Sequence, residues 1–203
     1  MSYQLLKNDV LFYQRFLKAN GFYEGKLDGI WGPKTNKADT VFLAESEAIA
    51  QQFGRFDVRS ESNIITLIPK AQIEARKFLI ITKDANIDVR IISGTRTYSE
   101  QNILYSQGRN DNPGPIVTNA KGGQSNHNFG IAWDIGIFDL TGKYITDDEA
   151  YISLAEIALR EMDMIEWGGN WRSFKDFPHY QLKAISDRVA TIRRLFEKGE
   201  VYV

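Results

Sequence analysis

One stretch restricts the fold more than any other: Ser125-Asn126-His127-Asn128-Phe129-Gly130-Ile131-Ala132-Trp133-Asp134-Ile135-Gly136-Ile137-Phe138. With a period of two, Phe129, Ile131, Trp133, Ile135 and Ile137 share one face, and all are large and apolar. Gly130, Ala132, Asp134 and Gly136 share the other, which is bare except for one carboxylate. This alternation predicts a strand with its apolar face in a core. His127 has the wrong parity to join Asp134 on a straight strand. It must arrive from the preceding loop, and Lys121-Gly122-Gly123-Gln124-Ser125-Asn126 is rich in turn-forming residues.

A histidine and an aspartate converging on a cleared patch suggest a metal ion. The chain has two histidines, and the second, His179, lies in Asp176-Phe177-Pro178-His179-Tyr180-Gln181-Leu182. Two histidines and one carboxylate with a fourth position open make a catalytic zinc ligand set. No cysteine is present, so disulfides and thiolate ligands are excluded and any metal is held by nitrogen and oxygen.

Helical signals flank this centre. Residues 8–20 carry the stripe Val10, Tyr13, Phe16 and Leu17, with Asn8 as cap and Gly21 as stop. A tight loop from Gly21 to Thr35 follows. A second helix begins near Pro33, with Ala38, Val41 and Phe42 inward, and ends by Gly54. Residues 55–63 are polar and aperiodic and read as a linker. Beyond it are expected a helix over 69–83, a strand over 88–93, a helix opened by Thr97-Tyr98-Ser99-Glu100 and a long loop over 108–125. The rest reads as a helix opened by Thr146-Asp147-Asp148-Glu149, short strands at 165–167 and 180–182, and a last helix over 186–198. The expected class is α+β: a mostly antiparallel sheet with flanking helices and a zinc site, plus a small N-terminal helical domain. The domains are 1–54, a linker over 55–63, and 64–203.

Composition narrows the partners. A hydrophobic fraction of 43% over 203 residues supports a sizeable core. The net charge of −1 gives no electrostatic reason to bind nucleic acid or an anionic membrane. No stretch approaches the ~20 apolar residues of a membrane helix. Met1 to Asp9 lacks the basic and apolar regions of a secretory signal.

Two resemblances add to this reading. Gly21-Phe22-Tyr23, Asp28-Gly29, Trp31-Gly32-Pro33, Thr35 and Ala38 resemble the small peptidoglycan-binding module of cell-wall hydrolases, with a departure after Val41. Ser125-x-His127-x-x-Gly130-x-Ala132-x-Asp134 with Asp176-x-x-His179 resembles the zinc D,D- and L,D-peptidases of peptidoglycan stem peptides over about residues 62–183. The resemblance implies one Zn2+ ion held by His127, Asp134 and His179. It implies Asp176 as general base, where the family often has glutamate, and Arg96 as the oxyanion-stabilising arginine. It matches Ser125 and Gln101 to positions that help hold substrate. These roles agree with peptide hydrolysis, which needs an activated water, a proton carrier and a fixed positive charge.

Other readings stay beside these. Glu166 rivals Asp176 as base, or serves as an outer partner or plain strand acid. Trp167, Trp171 and Tyr180 either line a substrate groove or belong to the core. The Asn112–Ser125 loop and Glu166-Trp167-Gly168-Gly169-Asn170-Trp171 resemble the L-alanyl-D-glutamate endopeptidases more than the D-alanyl-D-alanine carboxypeptidases. The alternatives are that carboxypeptidase, a wall-binding protein with a structural metal, and a glycosidase using Glu166 and Asp176. The expected partner is peptidoglycan, with no nucleic acid and no membrane insertion, for a monomer made in the cytoplasm without a signal peptide and acting on the wall after release.

Overall fold

A computed structural model describes residues 7–109 and 111–203. Most of the stretch read for a leader, Met1 to Leu6, lies outside the described residues. Two compact units form, one from Met1–Ala44, Arg96–Phe129 and Ala184–Val203, the other from Glu45–Thr95 and Gly130–Lys183.

The first unit is helical. α1 (Lys7–Ala19) buries Val10, Phe16 and Leu17 of the stripe read from its spacing, while Tyr13 is half-buried. It ends in a Schellman arrangement: Gly21, at φ +81°, donates to the Lys18 carbonyl and Phe22 donates to the Leu17 carbonyl. Asn8 lies within the first turn instead of capping it. The loop that follows is wound around the fully buried Gln14, which accepts from the Asp28 and Gly29 amides at 3.1 and 2.9 Å and donates to the Ile30 carbonyl at 2.9 Å. α2 (Pro33–Phe53) is unbroken. Ala38 and Phe42 are buried, but Val41, expected inward, is 47% exposed because it lies about 100° around the helix from Phe42. α5 (Tyr98–Ser106) starts at the expected capping box, Thr97 and Glu100 satisfying each other's backbone. α7 (Val189–Lys198) ends at Gly199, at φ +71°. Its Phe196 is fully buried and meets the rings of Phe12, Phe129 and Tyr202 at 5.2, 5.4 and 6.0 Å.

The second unit holds the sheet. Its strands are β1 (Asp88–Ser93), β2 (Ala132–Phe138), β3 (Tyr144–Ile145), β4 (Ile165–Trp167) and β5 (His179–Leu182), in the order β1-β2-β5-β4, with β3 also on β2. All four pairings are antiparallel, which bears out the α+β class. α4 (Pro69–Asp84) and α6 (Asp148–Glu161) belong to the same unit. Ile131, Trp133 and Ile135 are fully buried, and Tyr180 packs between Phe78 and Trp133 at 4.5 and 6.5 Å.

The structure corrects several local readings. The stretch 55–63 is not irregular: α3 (Val58–Ile64) forms there, capped by Asp57. Its polar residues serve the open edge of β1. The Ser60 hydroxyl accepts from the Ile91 amide at 2.9 Å and the Asn63 amide donates to the Ile91 carbonyl at 3.0 Å. An edge strand covered in this way cannot recruit a foreign strand. α6 is capped by Asp147, not Thr146. β2 starts only at Ala132: Asn126–Phe129 is a 3₁₀ turn, and Gly130, at φ +67°, separates it from the strand.

Candidate metal centre

The site grows from the sparse face of the sheet. His179 on β5 lies opposite Asp134 on β2, and Gln181 lies opposite Ala132. His179 and Gln181 are two apart and share that face, while Tyr180 between them points into the core. Ala132 and Gly136 contribute almost no side chain, which leaves the face open around Asp134. A β-bulge between Ile91 and Ser93 shifts the β1 register and brings Ser93 opposite Asp134.

His179 is 4% exposed. Its Nδ1 lies 3.2 Å from Asp134 Oδ1 and its Nε2 lies 3.0 Å from Gln181 Oε1. The Gln181 amide in turn donates to Glu166 Oε2 at 2.9 Å. Burial by itself lowers the basicity of the His179 ring, but the hydrogen bond and charge of Asp134 outweigh it and hold the pKa above the ordinary histidine value. Asp176 lies in the turn before β5, where its carbonyl accepts from the His179 amide and its own amide donates to the Gly168 carbonyl, both at 3.2 Å. Trp171 packs against the His179 ring at 4.9 Å.

His127 sits in the 3₁₀ turn, as its parity required, and is 2% exposed. The next residue anchors that turn. Asn128 is fully buried; its side chain accepts from the Gly123 amide at 2.9 Å and donates to the Arg96 carbonyl at 2.9 Å. The Arg96 amide donates to the His127 carbonyl at 3.1 Å. The Arg96 guanidinium donates to Gln101 Oε1 at 3.1 Å, and Gln101 donates to the Ala120 carbonyl at 2.9 Å. Arg109 braces the long loop further, bonding the Tyr105 and Thr118 carbonyls and covering the Tyr105 ring.

His127, Asp134 and His179 are thereby gathered: each offers one ligand atom, and these atoms all lie within 4.8 Å of one another. Two imidazole nitrogens and a carboxylate oxygen can hold a metal ion. Three residues expected to meet substrate are placed otherwise. Gln101 is fully buried, with its amide spent on Arg96 and the loop. Tyr180 is fully buried in the core. Trp167 is 7% exposed and donates from its indole nitrogen to the Phe177 carbonyl at 2.8 Å. Identity alone suggested a groove, but the alternation from His179 already assigns Tyr180 to the opposite face. Ser125 is partly exposed in the loop before His127. Asn128 and Gln181 were not singled out from the sequence. For Gln181 the signal was present, two residues beyond His179 on the same strand.

The chain is similar to several known proteins. A family profile described as D-alanyl-D-alanine carboxypeptidase, of the peptidase M15 group, matches residues 118–182. The peptidoglycan L-alanyl-D-glutamate endopeptidase CwlK of Bacillus subtilis is 39% identical over 124 residues, covering 57% of this chain and 71% of that protein. Among solved structures, the L-Ala D-Glu endopeptidase ChiX of Serratia marcescens aligns at TM-score 0.49 and 24% identity, over 64% of this chain and 90% of that one.

Proposed function

Since this chain belongs to the peptidase M15 family, we propose that it is a zinc-dependent endopeptidase that cuts the L-alanyl–D-glutamate bond of peptidoglycan stem peptides. The observation that carries the reading is the ligand group His127, Asp134 and His179, its donor atoms within 4.8 Å, in a chain 39% identical to an endopeptidase of that bond. These three residues would hold one Zn2+ ion. When bound, zinc supplies Lewis-acid polarisation of a carbonyl and acidifies a water at neutral pH.

The remaining work falls to the chain. The Asp176 carboxylate, set by its backbone bonds to Gly168 and His179, takes the proton of the attacking water and delivers it to the leaving amine. Arg96 presents a permanent positive charge to the oxygen on which charge develops. Gln101 acts through Arg96 by fixing its guanidinium, not on the substrate. Ser125 contributes a hydroxyl at the rim of the loop. Residues 1–54 form a wall-binding domain, in which Trp31, 39% exposed and stacked on Tyr13, offers a flat apolar surface. Residues 64–203 form the peptidase. The protein works as a monomer, without nucleic acid, and reaches the wall after release from the cell that makes it. Among the described residues no helix is long and apolar enough to cross a membrane.

The test is mass spectrometry of purified peptidoglycan digested with and without a chelator. New free amines on D-glutamate, lost with chelator and restored by zinc, are expected. The family profile's description favours a second reading, loss of a terminal D-alanine, which would replace the first. Cleavage at neither bond would overturn both.

A further inference from the structure

We propose that Gln181 and Glu166 are positioning residues that preset the tautomer of His179 for metal binding, an inference that rests on the ligand set proposed above. Glu166 and Gln181 are direct cross-strand partners on β4 and β5. The Glu166 carboxylate only accepts, so the atom 2.9 Å away must be the Gln181 amide nitrogen. That contact fixes the amide's direction and turns Gln181 Oε1 toward His179 Nε2, 3.0 Å away. A carbonyl oxygen also only accepts, so Nε2 must carry the ring proton. Nδ1 faces Asp134 Oδ1 at 3.2 Å, which also only accepts, so both ring nitrogens face acceptors. A metal ion held between Nδ1 and Asp134 would take the place of the Nδ1 proton, while Gln181 Oε1 keeps the proton on Nε2 and so directs the lone pair of the neutral ring to Nδ1.

Placement supports the assignment. Gln181 is 9% exposed, on the same face as His179 and opposite Ala132, whose methyl leaves room for the longer side chain. Glu166 is thus committed to Gln181, which assigns it an outer position instead of the proton-transfer role of Asp176. Partners that hold a ligand histidine from behind are commonly worth ~10–100-fold in metal affinity.

The test uses the full-length protein, stripped of metal and titrated with zinc against a chromophoric chelator, with folding followed by circular dichroism. Gln181→Leu removes the acceptor and is expected to weaken zinc binding ~10–100-fold. Gln181→Glu alone sets two carboxylates against each other and is expected to weaken it as well. Adding Glu166→Gln to Gln181→Glu reverses the hydrogen bond between the two positions but keeps an acceptor on His179 Nε2 that is itself held by a donor, so affinity should recover. Nitrogen-15 correlation spectra of the zinc-loaded wild type should show the His179 proton on Nε2. Equal zinc affinity in all folded variants, or the proton on Nδ1, would overturn the relay while leaving the ligand set intact. Failure of the wild type to bind zinc would overturn the ligand set itself. Should Gln181→Leu not fold, failure of the exchanged pair to recover affinity would overturn the relay.

Discussion

Gly168 sits where β4 turns back toward the site, and a single methyl group there tests how tightly that site is held. Its carbonyl accepts from the Asp176 amide, and a Cβ at this position would lie 2.5 Å from the Asp176 carbonyl oxygen, 3.0 Å from His179 Cβ and 3.2 Å from Asp176 Cβ. Gly168 does not occupy the left-handed region, so Gly168→Ala adds a steric cost without backbone strain. Ordinary contact begins near 3.4 Å, so clearing the carbonyl moves the Asp176–His179 turn by about 0.9 Å. None of these three atoms belongs to the free end of a flexible side chain. Overpacking of this kind costs about 1–3 kcal/mol of stability. A catalytic group displaced by ~1 Å can lose ~100-fold in rate, equivalent to about 2.7 kcal/mol of barrier. The assay is kcat/KM on a soluble stem peptide, with thermal unfolding and zinc content measured on the same preparations. Gly32→Ala, whose Cβ would meet nothing within 4 Å, is the control and should leave unfolding unchanged. Wild-type rate and unfolding temperature in Gly168→Ala would refute the claim that this close approach sets the geometry of Asp176 and His179.

Asp176→Asn should reduce hydrolysis ~10²–10⁴-fold while zinc content is unchanged, as read by metal analysis of the purified variant. Loss of metal together with activity would make Asp176 a ligand. Glu61→Ala should destabilise the fold by about 3 kcal/mol in urea unfolding, because Arg76, 2% exposed, loses two 2.8 Å bonds and keeps a buried charge. Burial raises the Glu61 pKa, but the Arg76 hydrogen bonds and charge, with the Phe56 amide and Arg55, bring it below the ordinary value. The stability this pair contributes is therefore fully present above pH ~4.3 and is lost as the pH falls through the lowered pKa of the folded state. The acid limb of the thermal midpoint should flatten in Glu61→Gln. Phe196→Ala should cost about 3–5 kcal/mol, measured by urea unfolding, since this fully buried ring is shared by Phe12, Phe129 and Tyr202.

Much of the site was legible because the sheet writes it in alternation. Trp133 and Ile135 are fully buried and Asp134 faces the other way, as parity required. His127 arrives from a turn because the strand's period forbids it any other route. The same alternation, carried through His179, assigns Tyr180 to the core and Gln181 to the site; aromatic character alone does not. α3 was illegible for another reason. Its helical signal is not an apolar stripe but hydroxyl and amide groups aimed at the backbone of β1, and a polar stretch of that kind looks the same as a linker until its partner is known. Gln101 likewise shows its role only through its partners, since burial of an amide cannot be read from its identity.

The ring of Phe12 meets those of Phe196 and Tyr98 at 5.2 and 5.6 Å, so the first helix of the chain and the last share one apolar cluster. Cutting a chain at a domain border assumes that its parts are beads on a string. In this protein a cut after residue 54 would strip Phe12 from the cluster and leave Phe196 and Tyr98 facing water. A truncated or chimeric enzyme would have to supply a new apolar cover in its place or carry polar replacements at those two positions.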